Sequence, residues 1–409
     1  MIKNIISIYD CLYGYIHFSN FAHIIIDKPE FQRLRYIKQL STCNLVFPTA
    51  THSRFEHSLG TYHMTDLFLT NLIKNSPKYE IEEPLKNIRE LDRYYDNYTK
   101  SYDMEKIIEL IKIAGLCHDI GHGPYSHLFD DYLINRLYSK IKDHEYRSEL
   151  IIEKIILNDD FLKSNLLKTD IEFIKRLINP NENNNGYIYQ IISNSKNGLD
   201  VDKFDYLTRD AYHLGMKLDF KYTNLIDCAI VINNNICFPN NKFHNIISMY
   251  EDRKKLHKIY LNNPIVLSSQ FLITDILNEI NNEINLINRI HDIDFFIKLT
   301  DDFIINFVNN CSIFNYNLVN NKLFELNNKF LNREFIKHTK TIYSDNKLDN
   351  LEIKNNEYIY KTYFGYINKV NNPLNNIVLF DNSNNTRIIN NHLYDNDHIT
   401  YANIIYNVN

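Results

Sequence analysis

Ala114-Gly-Leu-Cys-His-Asp-Ile-Gly-His-Gly-Pro-Tyr-Ser-His127 decides how this chain is read. Just upstream, Ile107, Leu110, Ile111 and Ala114 recur on one helical face, which predicts a helix from about Met104 to Cys117, stopped by Gly121, Gly123 and Pro124. The adjacent pair His118-Asp119 is thereby delivered at the end of an apolar helix. His118 and His122 are four apart, so one helical turn would put them together, and small residues clear the space around them. A histidine near a helix C-terminus is favoured by the dipole, so His122 or His127 alone could be structural. The cluster as a whole points to a site.

Outward from this stretch, His57 lies upstream and Asp202 downstream. Two imidazoles and two carboxylates make a mixed nitrogen and oxygen ligand set suited to Mn, Fe, Mg or Zn, with positions left open for water and a substrate oxygen. A helix predicted over Val201–Leu214 carries Asp202, Tyr206, Asp210 and His213 close to one face, while Val201, Phe204, Leu207 and Leu214 supply apolar packing. A polar stripe on a core helix faces a site. An anionic substrate at a metal also needs cations for the oxygens the metal does not reach. Arg54, three residues before His57, and Lys203, next to Asp202, are placed for this by adjacency. Arg253, in Glu251-Asp-Arg-Lys-Lys255, is a third candidate or part of a solvated helical face.

The chain has 409 residues, 45 Lys and Arg against 50 Asp and Glu, and a formal charge of −5. That balance argues against wholesale tracking of nucleic-acid phosphates, which needs a basic face, and leaves room for a local basic pocket. Hydrophobic residues at 44% and charged residues at 23% predict a sizeable buried core. No apolar run is long enough to span a membrane, and Met1-Ile-Lys-Asn-Ile-Ile6 lacks the basic region and cleavage site of a signal peptide, so a soluble cytoplasmic or nuclear protein is expected. The six cysteines form no CxxC pair, which predicts reduced, mostly buried thiols.

Asp27-Lys-Pro-Glu30 has the form of a capping box opening a helix with Phe31, Leu34 and Ile37 on one face. Further helices are expected around Ser148–Ile156, Asn245–Leu261 and Ser268–Ile290. Residues 75–102, charged and Tyr-rich without a clean period, read as a surface insertion. The Asn clusters at 183–185 and 233–235 read as loops. After about Lys340 the composition shifts, and Tyr358–Phe364 and Ile377–Phe380 suggest short strands between Asn-rich turns. The expected organisation is mainly α, with one helical domain over 1–340 and a small mixed α/β C-terminal lobe over 341–409.

Four ordered blocks carry a resemblance: Phe31-Gln-Arg-Leu-Arg-Tyr-Ile-Lys-Gln-Leu40, His52-Ser-Arg-Phe-Glu-His-Ser-Leu-Gly60, Ala114 to His127, and Asn197-Gly-Leu-Asp-Val-Asp-Lys-Phe-Asp-Tyr206. They resemble the HD-domain phosphohydrolases, and within them the deoxynucleoside triphosphate triphosphohydrolases in which an HD domain follows a sterile-alpha-motif domain. The likeness spans about Ile5 to Lys340 and implies an HD-domain helical bundle. It implies His57, His118, Asp119 and Asp202 as ligands of a divalent metal. Water activated by that metal would attack the α-phosphorus of a dNTP, releasing a deoxynucleoside and inorganic triphosphate. His122, His144 and Arg54 would hold phosphate oxygens. His127, oriented by Asp130, would protonate the leaving 5′ oxygen, a role that suits an imidazole because its pKa lies near working pH. Gln39 and Asp210 would bond the sugar 3′-hydroxyl, Leu40 would crowd out a 2′-hydroxyl, Tyr206 would pack on the sugar, and the base would be read loosely.

The chain also departs from that pattern. It starts about where the catalytic domain would, so no sterile-alpha-motif domain is expected before it. The aromatic followed one residue later by His, expected after Arg253, appears only with a one-residue shift as Tyr260-Leu-Asn262, which speaks against Tyr260 as a base contact. The resemblance implies a GTP or dNTP activator between subunits of a homo-oligomer, a dimer or tetramer, held by Asp27, Gln32, Arg35, Arg333 and Lys337. Ile6, Tyr9 and Asn224 stand where that site has Lys, Asn and a bridging Arg. Losing two cationic phosphate contacts, each worth about 1.5–3 kcal/mol, should weaken activation. The alternatives are another HD-type phosphoester hydrolysis, or a non-catalytic binder of nucleotide or single-stranded nucleic acid.

Overall fold

The computed structural model describes residues 6–134, 143–181, 183–313, 321–345, 347, 356–367, 372–381, 383, 385–388 and 399–407. The signal-peptide reading of residues 1–5, parts of the C-terminal lobe and the side chain of Cys311 lie outside these. The hairpin β1 (Ile6–Asp10) and β2 (Gly14–Phe18) turns through Gly14 at φ 72°, with Asp10 Oδ1 accepting from the backbone N–H groups of Leu12 and Tyr13. Ser19 caps α1 (Asn20–Ile26), and α2 (Pro29–Gln32) runs into a 3₁₀ turn over Arg33–Tyr36. The capping box expected at Asp27 is not formed. Asp27 closes α1, where its carboxylate meets His23 Nε2 at 3.1 Å, and Lys28 precedes α2 without a side-chain cap.

The long helix α3 (Arg54–Asn75) has its capping box in Ser53 and Glu56. Residues 75–102 then fold as α4 (Lys78–Glu82), two 3₁₀ turns and the hairpin β3 (Tyr95–Asp96) and β4 (Ser101–Tyr102). Ile81, Leu85 and Leu91 of this stretch are buried in the main core while Tyr98 is exposed, so its apolar side chains face inward without helical or strand periodicity. Helix α5 (Met104–Cys117) has the bounds that the period predicts, with Asp103 accepting from Lys106 N. Next come α6 (His144–Asn158), α7 (Asp160–Asn165), α8 (Lys168–Ile178) and α9 (Val201–Leu214), the last ended by Gly215 at φ 65°.

After α10 (Thr223–Ile226), β5 (Ile230–Ile232) and β6 (Asn235–Pro239) form a hairpin turned by Asn233 and Asn234 at positive φ. Helix α11 (Phe243–Lys255) continues through a π-helical turn, Leu256–Leu261, to α12 (Pro264–Ile284). The helical part closes with α13 (Ile293–Phe296), α14 (Asp301–Ile313) and α15 (Asn321–Leu331).

In the C-terminal region β11 (Ile399–Asn407) runs between β7 (Lys337–Ser344) and β8 (Glu357–Gly365), antiparallel to both. A second sheet has the order β10-β9-β6-β5, in which β9 (Val378–Phe380) lies parallel to β6 and antiparallel to β10 (Thr386–Ile388). Position 340 therefore falls inside a strand, and β9 extends a hairpin begun between the helices. The molecule is mainly α with a small mixed C-terminal part. Phe68 of α3 meets Phe204 of α9 at 6.0 Å between ring centroids, and Ile107, Ile111 and Ala114 of α5 are fully buried in the same core. Each of these Phe and Ile side chains contributes about 1.5–3 kcal/mol by leaving water. Among the described residues no helix is long and apolar enough to cross a membrane.

Candidate active site

Three helix ends converge. Ser53 Oγ accepts from Phe55 N and Glu56 reaches back to Ser53 N, so Arg54 and His57 sit buried in the first turn of α3. Helix α5 stops at Cys117, leaving His118 as its C-cap and Asp119 just beyond. Asp200 caps α9 by accepting from Lys203 N at 3.0 Å, which puts Asp202 in that helix's first turn. His57 Nε2 lies 3.3 Å from Asp119 Oδ2 and 3.2 Å from Asp202 Oδ1. His118 Nε2 lies 3.4 Å from Asp119 Oδ1 and 3.5 Å from Asp202 Oδ1.

The opposite ring nitrogens are committed elsewhere. His57 Nδ1 donates to Asp205 Oδ2 at 2.7 Å, and His118 Nδ1 donates to the Gly115 carbonyl at 2.8 Å. An ionised carboxylate and a carbonyl only accept, so both rings carry a proton on Nδ1 and aim Nε2 at the two carboxylates. Both Nε2 atoms are buried without a hydrogen-bond partner, a cost that a bound cation removes. The residues therefore fit a divalent metal held by His57, His118, Asp119 and Asp202, and three of these cluster tightly enough by themselves. Burial opposes charge on His57, yet the surrounding carboxylates of Asp119, Asp202 and Asp205 outweigh it and hold its pKa well above the usual value. Burial likewise opposes ionisation of Asp119, which Arg54, His118 and His122 hold well below the usual carboxylate range. These carboxylates demand a cation, whether proton or metal.

His122 does not share a helical turn with His118, because α5 has already ended. A turn in which His122 N donates to Asp119 O at 3.1 Å brings its Nε2 to 3.3 Å from Asp119 Oδ1 instead. A Cβ on Gly121 would collide with the His144 carbonyl and Ser148 N, so glycine there lets α6 bring its first residue against the loop. His122 stacks on His144 at 3.8 Å, and the exposed His127 ring lies 4.9 Å from His122 and 5.6 Å from His144. Burial, reinforced by Arg54 and by His144 for His122 and by His127 for His144, lowers the pKa of both well below the usual value, so they are neutral at pH 7. Arg54 pairs with Asp119 and donates from Nε to Ser126 Oγ at 2.8 Å.

Several expected partners are placed differently. Asp130 Oδ1 accepts from Arg147 Nη2 at 2.6 Å, and Oδ2 lies 3.8 Å from His144 Nδ1 and 3.9 Å from His122 Nδ1. Among the described residues Asp130 makes no hydrogen bond to His127. Lys203 Nζ bonds Asp200 at 2.9 Å and stands 4.0 Å from Asp202. Arg253 is buried rather than solvated, donating from Nη1 to the Gly365 carbonyl at 2.6 Å and from Nε to Tyr206 Oη at 3.1 Å. Asp210 Oδ1 bonds His52 Nε2 at 2.8 Å, and the His52 ring stacks on His213. Gln39, buried with Oε1 unpartnered, joins Leu40, His127 and Arg253 in lining a cavity of about 410 Å³. Tyr260 packs on Phe47 at 5.0 Å.

The expected activator positions fall into two groups. Asp27 pairs with His23, Gln32 Nε2 donates to the Ile26 carbonyl, and Arg35 Nε donates to Gln32 Oε1. Arg333 donates to the Leu45 carbonyl and Lys337 opens β7, both exposed. Among the described residues no hydrogen bond or ion pair joins the two groups. Tyr9 is exposed on β1, and Asn224 is exposed on α10, where its Nδ2 donates to Asn245 Oδ1.

Sequence reasoning missed Asp205. It orients His57, accepts from Tyr13 Oη at 2.8 Å and pairs with Arg209, which also bonds Asp10 at 2.8 Å. Burial opposes its charge, but Arg209 and His57 hold its pKa down to about 2. A Cβ on Gly60 would collide with Asp205 Oδ1, so glycine at that point of α3 is what lets α9 approach this closely. The spacing of Asp205 and Arg209, four residues apart on a predicted helix, was the available signal.

Comparison with known proteins adds the family. The HD domain family matches residues 54–210, a span that begins at Arg54 and ends at Asp210. The chain is 38% identical over 403 residues to HD domain-containing protein L394 of Acanthamoeba polyphaga mimivirus, which covers 90% of this chain and 84% of that protein. It is 34% identical over 296 residues to the deoxynucleoside triphosphate triphosphohydrolase SAMHD1 homolog of Dictyostelium discoideum, covering 71% of this chain and 52% of the relative. It is 32% identical over 329 residues to deoxynucleoside triphosphate triphosphohydrolase SAMHD1 of Homo sapiens, covering 72% of this chain and 49% of the relative. The chain thus spans about half the length of the SAMHD1 relatives. All four side chains that face the putting-together point of the three helix ends lie within the matched span, and the chain belongs to the HD-domain phosphohydrolases, resembling SAMHD1 over most of its length.

Proposed function

We propose that this chain is a metal-dependent dNTP triphosphohydrolase that converts a dNTP to a deoxynucleoside and inorganic triphosphate. The observation that carries the reading is a ligand set of two imidazoles and two carboxylates beside a histidine cluster whose exposed member, His127, lines the same cavity as Gln39 and Leu40. A divalent metal held by His57, His118, Asp119 and Asp202 would supply Lewis acidity for phosphoester hydrolysis. Arg54 and the neutral His122 and His144 offer N–H donors to phosphate oxygens. Because burial and neighbouring cations hold those two imidazoles neutral, an arriving anion favours their protonation and is bound more tightly for it. His127 gives a ring N–H proton to the leaving 5′ oxygen. Asp130, tied to Arg147, steadies the histidine wall. Gln39 Oε1 accepts from the 3′-hydroxyl, and Leu40 would leave a 2′-hydroxyl desolvated and unpaired, which selects deoxyribose. Activation by GTP or a dNTP within a homo-oligomer is weak in this reading, since Ile6, Tyr9 and Asn224 supply no cation to an activator's phosphates.

The test is to incubate the purified chain with each dNTP and a panel of Mn, Mg, Fe and Co, with and without GTP, and resolve the products by anion exchange. Inorganic triphosphate is expected. Release of pyrophosphate or monophosphate would assign a different HD reaction, and no product under any condition would overturn the enzyme reading.

A further inference from the structure

The cavity that His127 lines has two walls of different origin. Gln39, Leu40 and His127 form one, already given to sugar and leaving oxygen. The other comes largely from the C-terminal strand β8, through Tyr360, Thr362 and Tyr363, with Gln270 of α12 and Asn262 beside it. This strand is held in place. Arg253 donates to the Gly365 carbonyl at its end, the Tyr366 ring stacks on Tyr250 of α11 at 5.1 Å and 11°, and Tyr366 Oη bonds Glu251. Beyond it, Asn376 Nδ2 donates to the Lys196 carbonyl and Asn197 Nδ2 to the Asn376 carbonyl, on the loop that leads into the cap of α9. At the other end Tyr360 lies 5.6 Å from Phe271 of α12. The wall is therefore part of the folded site.

A nucleotide places its base on the far side of the sugar from the 5′ phosphate. With phosphates toward the histidine cluster and the sugar against Leu40, the remaining wall is the one the base meets. We propose that β8 builds the nucleobase wall of this site, with Tyr360 and Thr362, which share one face of the strand, against the base and Gln270 and Asn262 facing its polar edge. The proposal rests on the dNTP reading given above. It explains how a base can be held although Tyr260 is turned to Phe47: the aromatic surface comes from a strand about a hundred residues further on. Aromatic faces accept any base by stacking, whereas the volume beside Thr362 separates purines from pyrimidines.

The test measures equilibrium binding of dATP and dTTP, each as the non-hydrolysable analogue with a methylene in place of the 5′ oxygen, and of inorganic triphosphate to the metal-loaded chain and to two variants, with hydrolysis of the parent dNTPs followed separately. Thr362→Phe fills the wall and is expected to weaken dATP by about tenfold or more and dTTP less. Tyr360→Ala is expected to weaken both nucleotides by about tenfold through lost stacking. Triphosphate should bind both variants as it binds the wild type, which also reports that they are folded. A variant effect equal for nucleotides and triphosphate, or no effect, overturns the proposal. If the wild type binds dNTPs and the variants shift them selectively but no triphosphate is released, the hydrolase reading fails and the base wall stands. If dNTPs are hydrolysed and discrimination is unchanged, the base wall fails alone, and a wild type that binds no nucleotide overturns both.

Discussion

The ligand cluster and the surface expected to take an activator both use ionisable side chains, in opposite surroundings. At the cluster, His57, His118 and Asp119 are buried at the ends of packed helices, and His57 and His118 are each fixed through the far ring nitrogen. At the surface, Asp27, Arg35, Arg333 and Lys337 are exposed, and the first three are satisfied locally by His23, Gln32 and the Leu45 carbonyl. Burial multiplies electrostatic interactions and penalises every unpaired group, whereas water screens the same charges outside. The buried site is thus committed to one ligand geometry within a single chain. The surface positions are solvated and carry no such commitment.

The largest effect should come from the cluster itself. Asp119→Ala or Asp202→Ala removes a carboxylate shared between two imidazoles, and triphosphate release is expected to fall by about 10³-fold or more. Metal content measured after dialysis should fall with it. A variant that retains both metal and turnover would break the assignment of the site.

Asp205→Asn tests the layer behind the ligands. The side chain keeps its size but loses the charge that holds His57 Nδ1–H and balances Arg209, while Asp10 still pairs with that arginine. Metal affinity should drop about 10–100-fold. The readout is the metal concentration needed to raise the thermal unfolding midpoint. Affinity within error of the wild type would show that His57 is oriented by its packing alone.

What could be read in the sequence follows the range of the forces involved. The bounds of α5 and α9 were legible because apolar period and stop signals are local, and His57, His118, Asp119 and Asp202 were legible as residue types that have little reason to gather otherwise. Asp27 was misread because its nearest partner proved to be His23 behind it, not an amide ahead. Asp205 was missed because the stripe through Asp202, Tyr206 and Asp210 leaves it at the helix flank, where only Gly60 of another helix makes room for it. Whether Arg253 was a site cation or part of a solvated face stayed open until β8 supplied the Gly365 carbonyl, since strand pairing across such separations leaves no trace in local pattern. The buried residues of 75–102 were hidden for a related reason: short 3₁₀ turns carry no period long enough to detect.

A smaller effect concerns the loop between the two regions. Asp301 accepts from Tyr125 N at 2.6 Å and Lys38 N at 3.0 Å, tying the loop after His122 to the segment before Gln39. Burial pushes its pKa up to about 6 despite these bonds and Lys38. For an acid whose folded pKa is raised, the contribution to stability is fully present below the unfolded value of 3.8 and is lost as pH rises through about 6. The difference in unfolding free energy between wild type and Asp301→Asn should therefore shrink by on the order of 3 kcal/mol between about pH 4 and pH 7. Urea midpoints at stepped pH measure it, and a pH-independent difference would contradict the buried charge.

The smallest effect is expected at the surface. Arg333 holds a left-handed φ of 59° just past α15 and donates to the Leu45 carbonyl at 2.9 Å from an exposed position. In Arg333→Gly the relief of a left-handed conformation, about 1 kcal/mol, opposes the loss of an exposed hydrogen bond of about the same size. The unfolding midpoint should hardly move, and dNTP hydrolysis without added activator should stay at the wild-type rate, since no element of the ligand cluster touches this residue. Any stimulation by GTP should fall. A loss of unstimulated activity approaching that of Asp119→Ala would place Arg333 within the working site of the single chain, and the division between the buried centre and the solvated surface would not hold.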